Sequence, residues 1–265
     1  MTNLPRIIAH RGSSLAAPEN TFAAFEQAVN DGADGIEFDV HLAKDGVPVV
    51  IHDDDLSRTG LRKGSVSEMT SSELSAVDVG SWFNKKFPAL KDHSAERIHT
   101  LSETLELLKD FNGSIFIELK CGRNEVQPLV LAVCNIAAAA RLSWQIIIKS
   151  FDPSVVPLVK MAAPNIRAFC LFDISIMNML RRRSDIPQLA YQLGADGISL
   201  HRGLVNKALL AVANRLALSV AVWTVDDPKW VKRSAELRIT YLITNDPAKL
   251  LAKRKALRLS RQAQN

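Results

Sequence analysis

The stretch Gly35-Ile36-Glu37-Phe38-Asp39-Val40-His41-Leu42-Ala43-Lys44-Asp45-Gly46-Val47-Pro48-Val49-Val50-Ile51-His52 reads as two apolar runs joined by an Asp-Gly turn, the strongest short-range signal for an antiparallel hairpin. Its reading decides the fold because nine strand-like runs occur in the chain. They centre on residues 6–10, 34–41, 47–52, 114–120, 145–150, 166–171, 196–200, 218–223 and 240–244. Amphipathic segments such as Phe22, Phe25, Val29 and Leu101, Leu105, Leu108 separate most of them at helical spacing. Alternating strands and helices predict a parallel sheet. If 47–52 folds back on 34–41, it lies outside the count, and eight strands remain for an α/β, (β/α)8 barrel. With Asp45-Gly46 as a two-residue loop, the pairs are 44/47, 42/49 and 39/52, which sets His52 opposite Asp39.

A chain of 265 residues with 47% hydrophobic content suits one barrel domain over 1–265, with an insertion at about 53–100 and a basic tail at 251–265. The insertion is polar and loop-rich, with one short helix expected near Ser71 to Val77. The net charge of +5 resides in the tail, where Lys253, Arg254, Lys255, Arg258 and Arg261 stand without an acid. Residues 1–250 are therefore formally neutral, which argues against a nucleic-acid footprint spread over a face. The tail reads as a solvated helix end whose cations suit a helix C-terminus. Cys121, Cys134 and Cys170 are odd in number and lack metal-ligand spacing, so reduced thiols in a cytoplasm fit best. The N-terminus carries no apolar core of signal-peptide length. The longest unbroken apolar stretch, Leu129 to Cys134, is far below the ~20 residues that span a bilayer.

Several strand ends carry chemistry. His10-Arg11-Gly12 closes the run Ile7-Ile8-Ala9, and Glu37 with Asp39 and Glu118 with Lys120 stand at i, i+2, so each pair points to one side of its strand. His52 closes another run. Three carboxylates offer hard oxygen ligands to a divalent cation such as Mg²⁺ or Ca²⁺; the plainer reading pairs them with Arg11 and Lys120. Three acids against two cations would leave one negative charge to compensate. Two imidazoles suit the acid and base that phosphodiester hydrolysis needs, and Arg11 and Lys120 suit non-bridging phosphate oxygens. Asn20 before Thr21 reads as a helix N-cap. Asp53 either orients His52 or starts a loop, and Asp246-Pro247 starts the final helix. His41, His93, His99 and His201 are not expected to be catalysts.

His10-Arg11-Gly12, Pro18-Glu19-Asn20-Thr21, Glu37-Phe38-Asp39-Val40, Lys44-Asp45-Gly46, His52-Asp53, Glu118-Leu119-Lys120, Ser150-Phe151, Trp223-Thr224-Val225 and Ile243-Thr244-Asn245-Asp246-Pro247, in this order over roughly residues 5 to 250, resemble the glycerophosphodiester phosphodiesterase family. The resemblance implies a metal-dependent TIM barrel that hydrolyses substrates such as glycerophosphocholine or glycerophosphoethanolamine to sn-glycerol 3-phosphate and an alcohol. It implies His10 and His52 as acid/base catalysts, and Glu37, Asp39 and Glu118 as ligands of one divalent cation, Mg²⁺ or Ca²⁺. Arg11 and Lys120 would contact phosphate, and Trp223 would line the glycerol end or merely pack the rim. The implied partner is a small-molecule glycerophosphodiester, with no nucleic acid, no stable membrane insertion and a homodimer left open. His99 stands where the family shows Pro, and Asn84 to Glu96 is long, which bears on the cap over the substrate. Two other activities fit the residues. A lysophospholipase D would need an apolar groove beside the phosphate site, for which the insertion is a candidate; a non-catalytic binding barrel would be expected to have lost a catalytic His or metal acid.

Overall fold

A computed structural model describes residues 4–122 and 124–262. Nine strands run in chain order as β1 (Arg6–His10), β2 (Gly35–Leu42), β3 (Pro48–Val50), β4 (Ser114–Leu119), β5 (Ile146–Ser150), β6 (Arg167–Phe172), β7 (Gly197–His201), β8 (Ser219–Trp223) and β9 (Tyr241–Thr244). β1 pairs in parallel with both β2 and β9, so the eight parallel strands close on themselves and leave β3 outside, antiparallel to β2. Closure buries both faces of every strand, which is why the runs are apolar almost throughout. One residue of each successive pair points out to the helices, as do Ile36, Phe38 and Val40. The next points inward, where Ile8, Phe116, Ile147, Phe169, Tyr241 and Ile243 form the packed interior.

The hairpin forms, but its register is one residue away from the two-residue-loop expectation. Val40 pairs with Val50, His41 with Val49 and Leu42 with Pro48, and Ala43 accepts from Gly46 N at 2.9 Å while donating to Val47 O at 3.0 Å. The loop is therefore Lys44-Asp45-Gly46, with Gly46 at φ +77°, a turn closed by a left-handed glycine. Contacts outside the hairpin account for the extra residue. Lys44 N donates to Met69 O at 2.9 Å, and the Asp45 carboxylate accepts from Ser71 N at 3.1 Å and Ser71 Oγ at 2.8 Å. A one-residue slip exchanges the two faces of a strand. Here it turns Val50 toward the barrel helices and Val49 and Ile51 toward a second apolar cluster with Leu56, Val66, Leu74 and Ile98. Asp39 O consequently accepts from Ile51 N at 3.1 Å, and His52 is not opposite Asp39.

Residues 51–100 pack around that second cluster and include helices Ser71–Leu74 and Ser81–Lys86. The final helix, Pro247–Gln262, begins as expected: Asp246 Oδ1 accepts from Lys249 N at 3.1 Å, and Pro at the first position lacks the N–H that would go unpaired. Its cations are not all solvated. Arg254 pairs with Asp34 and donates to Pro5 O at 3.2 Å, while Asp34 also accepts from Ile7 N at 2.7 Å, so the helix is fastened to the base of β1. Residues 263–265 of the expected basic tail lie outside the described residues.

Candidate active site

At the C-terminal ends of β1, β2 and β4 the expected side chains come together. Glu37 and Asp39 are completely or almost completely buried, and Glu118 nearly so. One carboxylate oxygen from each lies within 4.8 Å of the others. The chain reverses sharply after β1. Arg11 sits at φ +56° and Gly12 at φ +80°, and a Cβ on Gly12 would come within 2.6 Å of Ala24. Only glycine lets the helix Phe22–Asn30 approach this turn so closely. The turn aims Arg11 N at Glu37 Oε2, 3.0 Å away, and brings Arg11 Nε to 3.1 Å from Asp39 Oδ2. Asn20 is not the helix cap. Thr21 Oγ1 accepts from Ala24 N instead, whereas Asn20, at φ +60°, donates to Asp39 Oδ2 at 3.0 Å and accepts from Asp39 N at 3.3 Å.

Lys149, on β5, went unread in the sequence and is central. It is 2% exposed, and its Nζ stands 2.8 Å from Glu37 Oε1 and 2.7 Å from Glu118 Oε2. Lys120 lies 3.3 Å from Asp39 Oδ1 and also pairs with Glu118. With Arg11, three cations therefore face three acids, and the expected surplus of negative charge does not exist. These contacts decide protonation. Burial alone would push the Asp39 and Glu118 carboxyls up, but Arg11 and Lys120 hold Asp39 well below the usual carboxylate range. Lys149 likewise pulls Glu118 down. Burial disfavours the Lys149 ammonium, yet Glu118 and Glu37 keep it charged beyond the usual lysine range.

The acids still fit a hard divalent cation. Glu37 Oε1, Asp39 Oδ1 and Glu118 Oε1 are buried with no hydrogen-bond partner of good geometry among the described residues, meeting only lysine ammonium groups off-angle. One oxygen from each acid within 4.8 Å of the others is a donor set for Mg²⁺ or Ca²⁺.

The two imidazoles are held differently. His10 Nδ1 lies 2.7 Å from Asn245 Oδ1, and its Nε2 is 3.9 Å from Glu37 Oε2. His52 Nδ1 lies 2.6 Å from Asp53 Oδ1, so Asp53 orients the ring and does not merely begin a loop. Arg58 Nε donates to Asp53 Oδ2 at 2.6 Å and its two terminal nitrogens grip Glu19 at 2.8 and 2.7 Å. Glu19 in turn accepts from Arg11 Nη1 at 2.7 Å. An unbroken chain of charge-assisted contacts thus runs from the acid triad through Arg11, Glu19, Arg58 and Asp53 to His52. The insertion supplies its Arg58 link. Burial opposes the Asp53 charge, but Arg58 and His52 keep its carboxyl below the ordinary value.

A cavity of about 700 Å³ at this mouth is lined by His52, Asp53, Lys120, Ser150 and Phe151 together with His41, whose Nε2 lies 2.9 Å from His52 O. Trp223 ends β8 with its ring edge-on to Phe151 and His201, centroids 5.9 and 5.3 Å apart, and its buried Nε1 has no hydrogen-bond partner among the described residues. His99 stacks on Phe22 at 3.5 Å and so ties the exit of the insertion to the first helix.

Eight parallel strands closed into a barrel, with two oriented imidazoles and a caged acid triad at the C-terminal mouth, define a (β/α)8 barrel enzyme equipped for phosphate-ester chemistry. The chain belongs to the glycerophosphoryl diester phosphodiesterase family, whose model matches residues 10–249; it is a phosphoric diester hydrolase. It is 32% identical over 247 residues, 92% of this chain and 96% of the relative, to a glycerophosphodiester phosphodiesterase of Caldanaerobacter subterraneus. Among solved structures, it resembles an Oleispira antarctica phosphodiesterase in complex with the product sn-glycerol-3-phosphate (TM-score 0.83, 25% identity, covering 94% of this chain and 96% of that one). It also resembles a glycerophosphodiester phosphodiesterase of Agrobacterium tumefaciens (TM-score 0.77, 26% identity, covering 94% and 100%).

Proposed function

We propose that the enzyme hydrolyses small glycerophosphodiesters such as glycerophosphocholine to sn-glycerol 3-phosphate and an alcohol, with His10 and His52 as the acid/base pair. The observation that carries this reading is the convergence of His10, Arg11, Lys120 and the chain ending in His52 on one acid triad. Glu37, Asp39 and Glu118 would hold one divalent cation, Mg²⁺ or Ca²⁺, which when bound would supply positive charge to polarise a phosphate oxygen and a glycerol hydroxyl. Arg11 and Lys120 neutralise non-bridging oxygens as their charge grows. Both Nδ1 atoms are occupied, so each imidazole works through Nε2. His10 Nε2 removes the proton of the glycerol 2-hydroxyl, whose oxygen attacks phosphorus. His52 protonates the departing alcohol. Water then opens the cyclic phosphate with the two roles exchanged. Trp223 borders the glycerol end.

We further propose a single domain over 1–265 and a cytoplasmic location, the latter on Cys121, Cys134 and Cys170 being free. No helix among the described residues is long and apolar enough to cross a membrane.

The deciding assay measures glycerol 3-phosphate release from glycerophosphocholine and glycerophosphoethanolamine with Mg²⁺, with Ca²⁺ and with chelator. Release that chelator abolishes supports the reading; equal release with chelator removes the metal from it. In the same assay His52→Ala is expected to lower kcat about 10²–10⁴-fold.

One observation favours lysophospholipids as a second substrate class. An apolar groove of about 450 Å³, lined by Phe151, Cys170, Leu171, Phe172, Ile176 and Met179, shares Ser150 and Phe151 with the polar cavity. The groove lies beyond the ends of β5 and β6, not in the insertion. A 1-acyl chain could occupy it with the 2-hydroxyl still free to react. A kcat/KM that climbs with acyl length below the micelle threshold, and stays flat in Met179→Glu, would support that use.

A further inference from the structure

An amide presents an acceptor on one side and donors on the other, so the amide facing His10 imposes a tautomer on the ring according to which side it shows. Asn245 shows its oxygen: Oδ1 lies 2.7 Å from His10 Nδ1 and also accepts from Ser14 Oγ at 3.2 Å. The reason lies one residue further out. The loop after β8 places Asp226 so that its Oδ2 accepts Asn245 Nδ2 at 2.9 Å, and its Oδ1 accepts Asn245 N at 2.8 Å and Thr244 Oγ1 at 2.9 Å. A carboxylate only accepts, so with Nδ2 and the backbone N–H of Asn245 both held on Asp226 the amide cannot turn over. The Nδ1 of His10 must then be the donor.

We propose that Asp226, acting through Asn245, is a positioning residue that keeps the proton of neutral His10 on Nδ1 and leaves Nε2 free to take the substrate proton. This rests on the reading of His10 as an acid/base group. It differs from the arrangement at His52, where the carboxylate of Asp53 touches the ring directly.

The inference can be tested by reversing the polarity of the pair. In Asp226→Asn, the new amide keeps an oxygen for Asn245 N and Thr244 but presents NH₂ to Asn245, which must flip and offer its own NH₂ to His10. The neutral ring would then carry its proton on Nε2, the atom that has to accept one. kcat is expected to fall about 10²–10⁴-fold, as when a histidine is held in the wrong tautomer, with KM changed less than about threefold. Adding Asn245→Asp restores an acceptor toward His10 and another toward the amide introduced at position 226, so the double variant is expected to recover to within about tenfold of the parent. Nitrogen-15 spectra of the metal-free protein should show the His10 proton on Nδ1 in the parent and the double variant, and on Nε2 in Asp226→Asn.

An Asp226→Asn enzyme that keeps its kcat, or a single variant that loses kcat with the His10 proton still on Nδ1, would overturn the proposal. Should the double variant fail to fold, Asn245→Ala decides on the same spectrum: loss of the Nδ1–H form supports the proposal and retention overturns it. His10→Ala separates the two levels, since full turnover there would sink the role of His10 itself, whatever Asp226 does.

Discussion

Lys149 shows how far a residue's role departs from its neighbourhood in the chain. It follows Ile146-Ile147-Ile148, and only its inward phase on β5, set by the parallel register Glu118↔Lys149, brings it between Glu37 and Glu118. Inward alternation counted from the start of the run would have signalled a polar residue facing the interior. Glu37, Asp39 and Glu118 were legible because an acid in an apolar strand is costly unless paired or metal-bound. Asn20 was misread because a polar residue just before a helix usually caps it, while here the next residue does so. Replacing Lys149 with Met leaves two buried carboxylates short of their shared cation, and is expected to cost about 3–5 kcal/mol. Urea unfolding in chelator measures this; a loss below about 1 kcal/mol would contradict the central place given to the lysine.

Among the elements, the β2–β3 hairpin and its insertion were legible as elements but not in register. The Asp-Gly signal located the turn. The loop length depended on Lys44 N and Asp45 finding partners near residues 69–71, contacts that no local pattern announces. Asp45→Ala removes three acceptor contacts to Ser71 at an exposed site, and is expected to lower the denaturation midpoint. Because the insertion carries Arg58, the loosened hairpin should also raise KM more than it lowers kcat. Denaturant melts and steady-state kinetics on one preparation check both; an unchanged stability would mean that the tip is not fastened through Asp45.

Over the whole molecule, the closed barrel concentrates charge at one mouth, and that concentration makes stability depend on pH. Asp39, Glu118 and Glu19 have carboxyls held below their ordinary values in the folded state, against the opposing effect of burial, by Arg11, Lys149 and Arg58 in turn. The unfolded chain therefore binds protons more readily, and the stabilisation is present above the ordinary carboxylate range and lost as pH falls through the folded values. Burial also holds the His41 and His99 imidazoles below their ordinary value, so stability is expected to start falling below about pH 6.5 and to fall further below about pH 4. Denaturant unfolding between pH 7 and 3 reads this; a rise on acidification would be the opposite sign. A divalent cation that binds the folded triad alone should raise the melting temperature, by about 2.7 kcal/mol of stabilisation at a hundredfold excess over Kd. Glu37→Gln should lose that gain.

The order of strands and helices, the eightfold count once the hairpin was set aside, and the acids and imidazoles at the strand ends followed from the sequence alone. Periodicity and turn chemistry are local properties, and a charged residue ending an apolar run stands out wherever it lies. The neutral balance of the triad, the chain from Arg11 to His52, the tautomer of His10 and the apolar groove were decided only by the tertiary structure. Each depends on residues far apart in the chain, Asn245 from His10 or Arg58 from Glu19, that meet because parallel strands must close to bury both their faces.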